Sequence, residues 1–220
     1  ELWYEWVGRT IHRDIVDSSS EDPIALFATD DSLVVDLDRG GSTPILERSA
    51  ALDARIRREG KRCVHRDGVK DGAEGLLYVM FQLASDDPTP QEIVPRYIGK
   101  AEAYGKKNEL SANFEEIAKD REATRSFARW GDGSYWHVGE LSETVFGVDS
   151  KKTSWAAELF EEGTHRLEAP TYLWIRAWDS ERDLGPYGYP ASLAAVEALL
   201  IGLAYAAFPE QLLNHKEVPE

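Results

Sequence analysis

The sequence predicts a mixed α/β (α+β) fold, and three stretches carry that expectation. Gly75 to Leu83 (GLLYVMFQL) is a short apolar run rich in aromatic and branched residues, which reads as a buried strand. Ile93 to Ile98 follows the turn-rich ASDDPTPQE and ends at Gly99, so the two segments read as a long-looped hairpin. Ala191 to Phe208 (ASLAAVEALLIGLAYAAF) is interrupted by Glu197 and Gly202 and stopped by Pro209, and reads as a buried closing helix rather than a membrane span.

The remaining elements follow in chain order. Residues 1–73 differ in pattern from the rest and read as an N-terminal extension, either a recognition or a structural element. Within it Ser32 to Asp38 (SLVVDLD) alternates as a strand does, and DRGGSTP around Gly40 and Gly41 is a turn. Ser49 to Arg62 reads as a short helix with Leu52 and Ile56 on one face and Arg55, Arg57, Arg58, Lys61 and Arg62 around them. Such a basic helix is either a solvated tether or a phosphate contact. Residues 74–220 form the main domain, with an insertion at about 120–170. Glu109 to Arg129 is expected to be helical, with a break near Asp120 and a stop at Gly131-Asp132-Gly133. Trp155 to Glu162 reads as a further helix, and Thr171 to Trp178 (TYLWIRAW) as a third strand.

Composition narrows the function classes. With 220 residues, 42% of them hydrophobic, and seven Trp, the chain has material for one substantial core. One cysteine, Cys63, excludes an internal disulfide and a multi-cysteine zinc site; a cytoplasmic protein with no membrane partner is expected. Forty acidic against 25 basic residues give a net charge of -15, which at first argues against a nucleic-acid partner. Adaptation to high salt produces the same acidity whatever the ligand. A rise in melting temperature on transfer to molar KCl is the expected result if that is its origin.

Local charge points the other way. Between Arg96 and Lys107, the four basic residues Arg96, Lys100, Lys106 and Lys107 face a single acid, Glu102, beside the tripeptide Tyr97-Ile98-Gly99. A lone Glu197 in an otherwise apolar helix is costly to bury without a compensating cation.

Taken together, Leu76-Leu77-Tyr78, Tyr97-Ile98-Gly99, Lys100, and WIRAWDSERD leading into VEALLIGLAYAAFPEQLLN resemble the GIY-YIG nuclease family. The resemblance spans Gly75 to Asn214. It implies a small, mainly antiparallel three-stranded sheet flanked by helices and a divalent-metal-dependent endonuclease that hydrolyses DNA phosphodiesters, as in restriction or genome defence. By the resemblance, Glu197 is the single protein ligand to Mg²⁺ or Mn²⁺, and Tyr78 and Tyr97 line the pocket, one of them orienting or deprotonating water. A neighbouring Lys100 ammonium would favour the phenolate. The basic cluster with Arg96 clamps the phosphate, and Gly99 permits close backbone approach.

Departures from the family pattern are also visible. Leu76 stands where the first motif has glycine, and Lys106 and Lys107 stand where the family has a helical arginine. Lys107 is the direct match, with Arg125 and Arg129 as substitutes, although lysine lacks the bidentate fork. His137 is either a general base or a structural histidine, and Asn214 either the family's late asparagine or an ordinary turn residue. Arg55, Arg57 and Arg58 are candidates for DNA contact. A single metal site per chain points to a homodimer if both strands are cut. The alternatives are a catalytically inactive nucleic-acid-binding or scaffold module and, less well matched to the basic cluster, an acidic protein that occupies a partner's DNA-binding surface.

Overall fold

The computed structural model describes residues 1–17, 19–38, 44–64, 72–105, 107–119, 138–146 and 153–214. At its centre lies a three-stranded antiparallel sheet of β3 (Gly75–Leu83), β4 (Ile93–Glu102) and β5 (Thr171–Trp178), in the order β4-β3-β5. The central strand is the continuous apolar run. It is covered on both faces, so it has no polar side to alternate with. A two-stranded ribbon, β1 (Leu37–Asp38) and β2 (Ile45–Leu46), lies in the N-terminal part. The fold is therefore the mixed α/β architecture that the sequence predicts.

Strand alternation sorts the core into two layers. Leu76, Tyr78 and Met80 of β3, Tyr97 and Ala101 of β4, and Leu173, Ile175 and Ala177 of β5 share one cluster. That cluster is roofed by α3 (Ala50–Lys61), α4 (Glu115–Ala118), α5 (Val138–Val145) and α6 (Thr153–Leu159). Leu77, Val79 and Phe81 belong with Ile98, Trp174 and Trp178 to the second cluster. It is covered by α7 (Leu193–Ala207) and by a helical N-terminus, α1 (Leu2–Val7), a π-turn at Gly8–His12 and α2 (Arg13–Val16).

The first 73 residues are thus part of both layers. Trp3, Trp6, Val7 and Ile11 are buried beneath the sheet, and Trp6 meets Trp174 edge-on at 5.6 Å. The backbone of Ile24 to Leu26 pairs with the outer edge of β5 through Leu26 N–H to Thr171 O and Leu173 N–H to Ile24 O, both 2.9 Å. Further along that edge the buried Glu59 accepts from Ala177 N–H at 3.1 Å, so α3 caps what the short pairing leaves open. Ser49 is the N-cap of α3, accepting from Leu52 N–H, as a serine ahead of an apolar periodicity should.

Four boundaries differ from expectation. The 32–38 segment makes isolated bridges at Val34 and Val35 before the two-residue β1, because its partners are short loops. β4 does not end at Gly99 but continues to Glu102, with Gly99 paired to Tyr78 inside the sheet. The helix expected from Glu109 begins only after Ser111. Tyr104 and Leu110 bridge across a tight excursion whose turn is made by Asn108 at φ 59, a left-handed conformation that asparagine tolerates. α6 ends at Leu159 because Phe160 turns away to bridge Leu167. The expected break near Asp120 and the Gly131-Asp132-Gly133 stop lie outside the described residues. No helix among the described residues is long and apolar enough to cross a membrane.

Candidate functional site

The candidate residues meet at β4, whose outer edge no other strand among the described residues covers. In the sheet register Tyr78 stands opposite Gly99, and Leu77 opposite Lys100. Alternation therefore puts the two phenols on the α6 side and Lys100 on the α7 side. The Tyr78 ring crosses over Gly99: a Cβ at that glycine would lie 2.7 Å from the ring's Cε2, Cζ and Oη. Gly99 is thus required by close approach, but what approaches is the Tyr78 phenol. Tyr97 packs beside it, with ring centroids 6.3 Å apart, and is backed by Trp155 of α6 at 4.6 Å.

An alanine methyl at Gly99 has to displace a ring that is only 2% exposed. The expected cost of Gly99→Ala is about 1–3 kcal/mol in urea unfolding. Adding Tyr78→Leu should recover part of it; strictly additive losses would show that the two residues do not touch.

Glu197 arrives from α7 on the opposite side. Its carboxylate lies 4.0 Å from Lys100 Nζ, which also pairs with Glu102 at 2.5 Å. The Lys100 backbone N–H also favours the charged form of the Glu197 carboxylate. Burial pushes the Glu197 carboxyl above the usual range; Lys100 opposes this and the Glu102 charge adds to it. Two carboxylates sharing one ammonium in a half-buried setting leave room in the charge balance for a cation.

The phenols respond to the same charge. Tyr97 is pushed up to about 12, first by burial and then by Glu197; Tyr78 is driven well above the ordinary value by burial, by Tyr97 and by Glu197. This overturns the expectation that Lys100 favours a phenolate. The ammonium is spent on Glu102 and Glu197, and the rings sit in the core, so both hydroxyls hold their protons.

The titration has a measurable consequence. Buried Cys63 is likewise pushed up to about 12 by desolvation. Groups with raised values stabilise the fold fully below their unfolded pKa and lose that contribution as pH rises through the folded one. Melting temperature should therefore hold up to about pH 9, the onset for an unfolded thiol, and fall between there and pH 12. Cys63→Ala should move the onset toward pH 10, where unfolded tyrosines begin to ionise.

The basic cluster is divided rather than gathered. Between Met80–Tyr97 and Phe81–Pro95 the register slips by one, leaving Arg96 as the extra residue of a β-bulge. The bulge turns buried Arg96 toward α6, where it donates to Glu158 O at 3.1 Å and pairs with the Glu158 carboxylate at 3.2 Å. Lys107 is exposed in the turn around Asn108 and not on a helix, because the chain closes the Tyr104–Leu110 bridge first. Lys106, Arg125, Arg129 and His137 lie outside the described residues.

Asn214 is fastened to the edge of β4. It donates from Nδ2 to Ile98 O at 2.8 Å and accepts from Ile98 N–H at 2.9 Å, so one amide side chain does what a neighbouring strand residue would do. This holds the backbone between Tyr97 and Gly99. On α3, Arg55 is buried against Asp22 at 2.9 Å, Arg58 pairs with Glu21 at 3.1 Å, and Arg57 is half-buried. Arg55 is therefore committed to the fold.

Two residues that matter were not among the site candidates read from the sequence. Glu102 lies two residues beyond Lys100, a spacing that puts both on one strand face and that could have revealed it. Glu74 accepts from Leu193 N–H at 2.7 Å and so caps α7, a pairing across the sequence with no local signal.

Among the described residues no group of three or more His, Cys, Asp and Glu side chains is arranged to hold a metal ion. A carboxylate-only donor set, Glu197 with Glu102 nearby, suits a hard cation that draws most of its ligands from water and phosphate. Comparison of the chain with protein-family models, curated proteins and solved structures returns no match.

Proposed function

We propose that the protein is a divalent-metal-dependent endonuclease that hydrolyses DNA phosphodiester bonds. The observation that carries the reading is the gathering, around one edge strand, of Lys100 and a half-buried Glu197 on one face and the two phenols Tyr78 and Tyr97 on the other, from three separate stretches of chain. Glu197 would hold Mg²⁺ or Mn²⁺, which when bound supplies Lewis-acid stabilisation of the departing 3′ oxygen. Lys100 sets a fixed positive charge beside the phosphate. The Tyr97 hydroxyl, protonated and only 8% exposed, orients water or a phosphate oxygen as a hydrogen-bond donor. Restriction or genome defence is the setting this chemistry fits, with two chains acting together where both strands are cut.

Supercoiled plasmid incubated with Mg²⁺ or Mn²⁺, at low and at molar salt and with a chelator control, tests the reading. Nicked or linear product with 5′-phosphate and 3′-hydroxyl ends is expected. Intact plasmid under every condition would favour the second reading, a nucleic-acid-binding module that no longer cuts. That reading draws on the position of Lys107, the described match to the family's arginine, which stands in an exposed turn.

A further inference from the structure

At the opposite edge of the sheet the chain builds a second cationic site that none of the motifs includes. A cleft of about 220 Å³ between the N-terminal helical segment and β5 is lined by Arg9, Arg13, Arg176 and Arg182 against one carboxylate, Asp183, which accepts from Asp179 N–H at 2.7 Å, with Trp174 and Trp178 in its wall. Arg176 shares a cross-strand row with Leu77 and Lys100, so the cleft opens on the same sheet face as the Glu197 carboxylate. In a chain of net charge -15 this concentration of guanidinium groups is out of character.

The arginines are partly committed, and the commitment organises them. Buried Asp14 accepts from Trp174 Nε1 at 2.8 Å and pairs with Arg176 at 2.6 Å and, more loosely, with Arg13 at 3.5 Å. Arg176 also lies over the Trp174 ring, 5.6 Å from its centroid. Arg182 is 81% exposed and only loosely tied to Asp179, at 3.5 Å. Arg9 donates to two carbonyl oxygens, Gly185 at 2.6 Å and Pro186 at 3.0 Å, and has no carboxylate partner among the described residues. These acceptors carry no formal charge.

Those two carbonyls belong to a loop with an unusual surface. The segment is folded on itself by Gly185 N–H to Tyr189 O and Gly188 N–H to Gly185 O, with Gly188 at φ 79. It presents Tyr187 and Tyr189 to solvent, 54% and 73% exposed. A turn that is internally bonded and clamped by Arg9 has little reason to expose two aromatic rings for its own stability. Flat rings beside a phosphate-sized cationic cleft match the needs of unpaired nucleotides, whose bases have free faces to stack while their phosphates seek guanidinium. A duplex hides those faces.

We propose that this cleft and loop bind a single-stranded nucleic-acid segment, with phosphates at Arg9, Arg13, Arg176 and Arg182 and unpaired bases on Tyr187 and Tyr189. The inference rests on nucleic acid being the substrate of the site proposed above, and it narrows that substrate to DNA with a single-stranded portion.

The test is fluorescence anisotropy of the full chain with a short labelled oligothymidine and with a duplex of equal length, at low salt and in chelator so that nothing is cut. Tyr187→Ala/Tyr189→Ala, both at exposed positions, should weaken single-strand binding on the order of tenfold or more and leave duplex binding unchanged. Arg13→Ala/Arg182→Ala should flatten the salt dependence of single-strand binding by about one phosphate contact or more. Circular dichroism confirms that the variants fold. Tyrosine variants that bind the single strand within about twofold of the parent would overturn the proposal, as would a parent that prefers the duplex. A chain that binds single strands through these residues yet never cuts plasmid keeps this inference and loses the nuclease reading; a chain that cuts while the variants bind normally does the reverse.

Discussion

Glu197→Gln should abolish Mg²⁺- or Mn²⁺-dependent cleavage, a loss on the order of a thousandfold or more, corresponding to about 4 kcal/mol of transition-state stabilisation. The fold should survive the change. Burial holds the Glu197 carboxyl above its ordinary value, so its charge is a liability to folding at neutral pH rather than a support. The sign follows from linkage: a carboxyl with a raised folded pKa contributes stability below the unfolded pKa and loses it as pH rises. Glutamine removes the charge, and Lys100 keeps Glu102. Melting temperature should therefore stay the same or rise, and millimolar metal should stabilise the parent but not the variant. Undiminished cutting by the variant would take Glu197 out of the reaction.

Gly75→Ala should give the largest loss of stability. A Cβ at that position would stand 2.1 Å from the Ala101 carbonyl oxygen and 2.9 Å from both Glu102 Cα and Leu193 Cδ2. Two of the three obstacles are backbone of the paired strand, which cannot swing aside as a side chain can. We expect about 3 kcal/mol or more, seen as a fall in melting temperature of about 6–12 °C. The same displacement would push β4 from β3 next to Lys100 and separate the sheet from the start of α7. A variant that melts with the parent would show that the strands have slack there.

Much of the fold could be read in the residues because their patterns are local. β3 announces itself as an unbroken apolar run, α3 by Ser49 ahead of Leu52 and Ile56, and α7 by its length and the proline beyond it. What escaped depends on contacts distant in sequence. The bulge at Arg96 arises from pairing with β3, and without it Arg96 and Lys100 read as one cluster. Leu110, Phe114 and Ile117 follow helical spacing, yet the first of them closes a turn with Tyr104 before any helix begins.

Of the residues the motifs identified, Lys100 and Glu197 stand 4.0 Å apart, the Glu197 charge reaches Tyr78 and Tyr97 on the other face of the sheet, and Lys107 stands apart in its exposed turn. Their ionisation could not be read the same way. It depends on how deeply each ring is buried and on a carboxylate delivered by a helix about a hundred residues away. The arginine cleft was invisible for a similar reason, since Arg9, Arg13, Arg176 and Arg182 come from opposite ends of the chain.

The indoles of Trp3 and Trp6 beneath the sheet bear on how such a protein can diversify. A module whose opening helix is merely appended can be exchanged wholesale for a new specificity. Here an exchange would strip the floor from Trp174 and unseat Asp14 from Arg176, so recombination at that junction would yield unfolded hybrids unless the donor carried a matching aromatic pair. Innovation is thereby channelled into the surface turns, where the Tyr187 to Tyr189 loop can change without disturbing the interior.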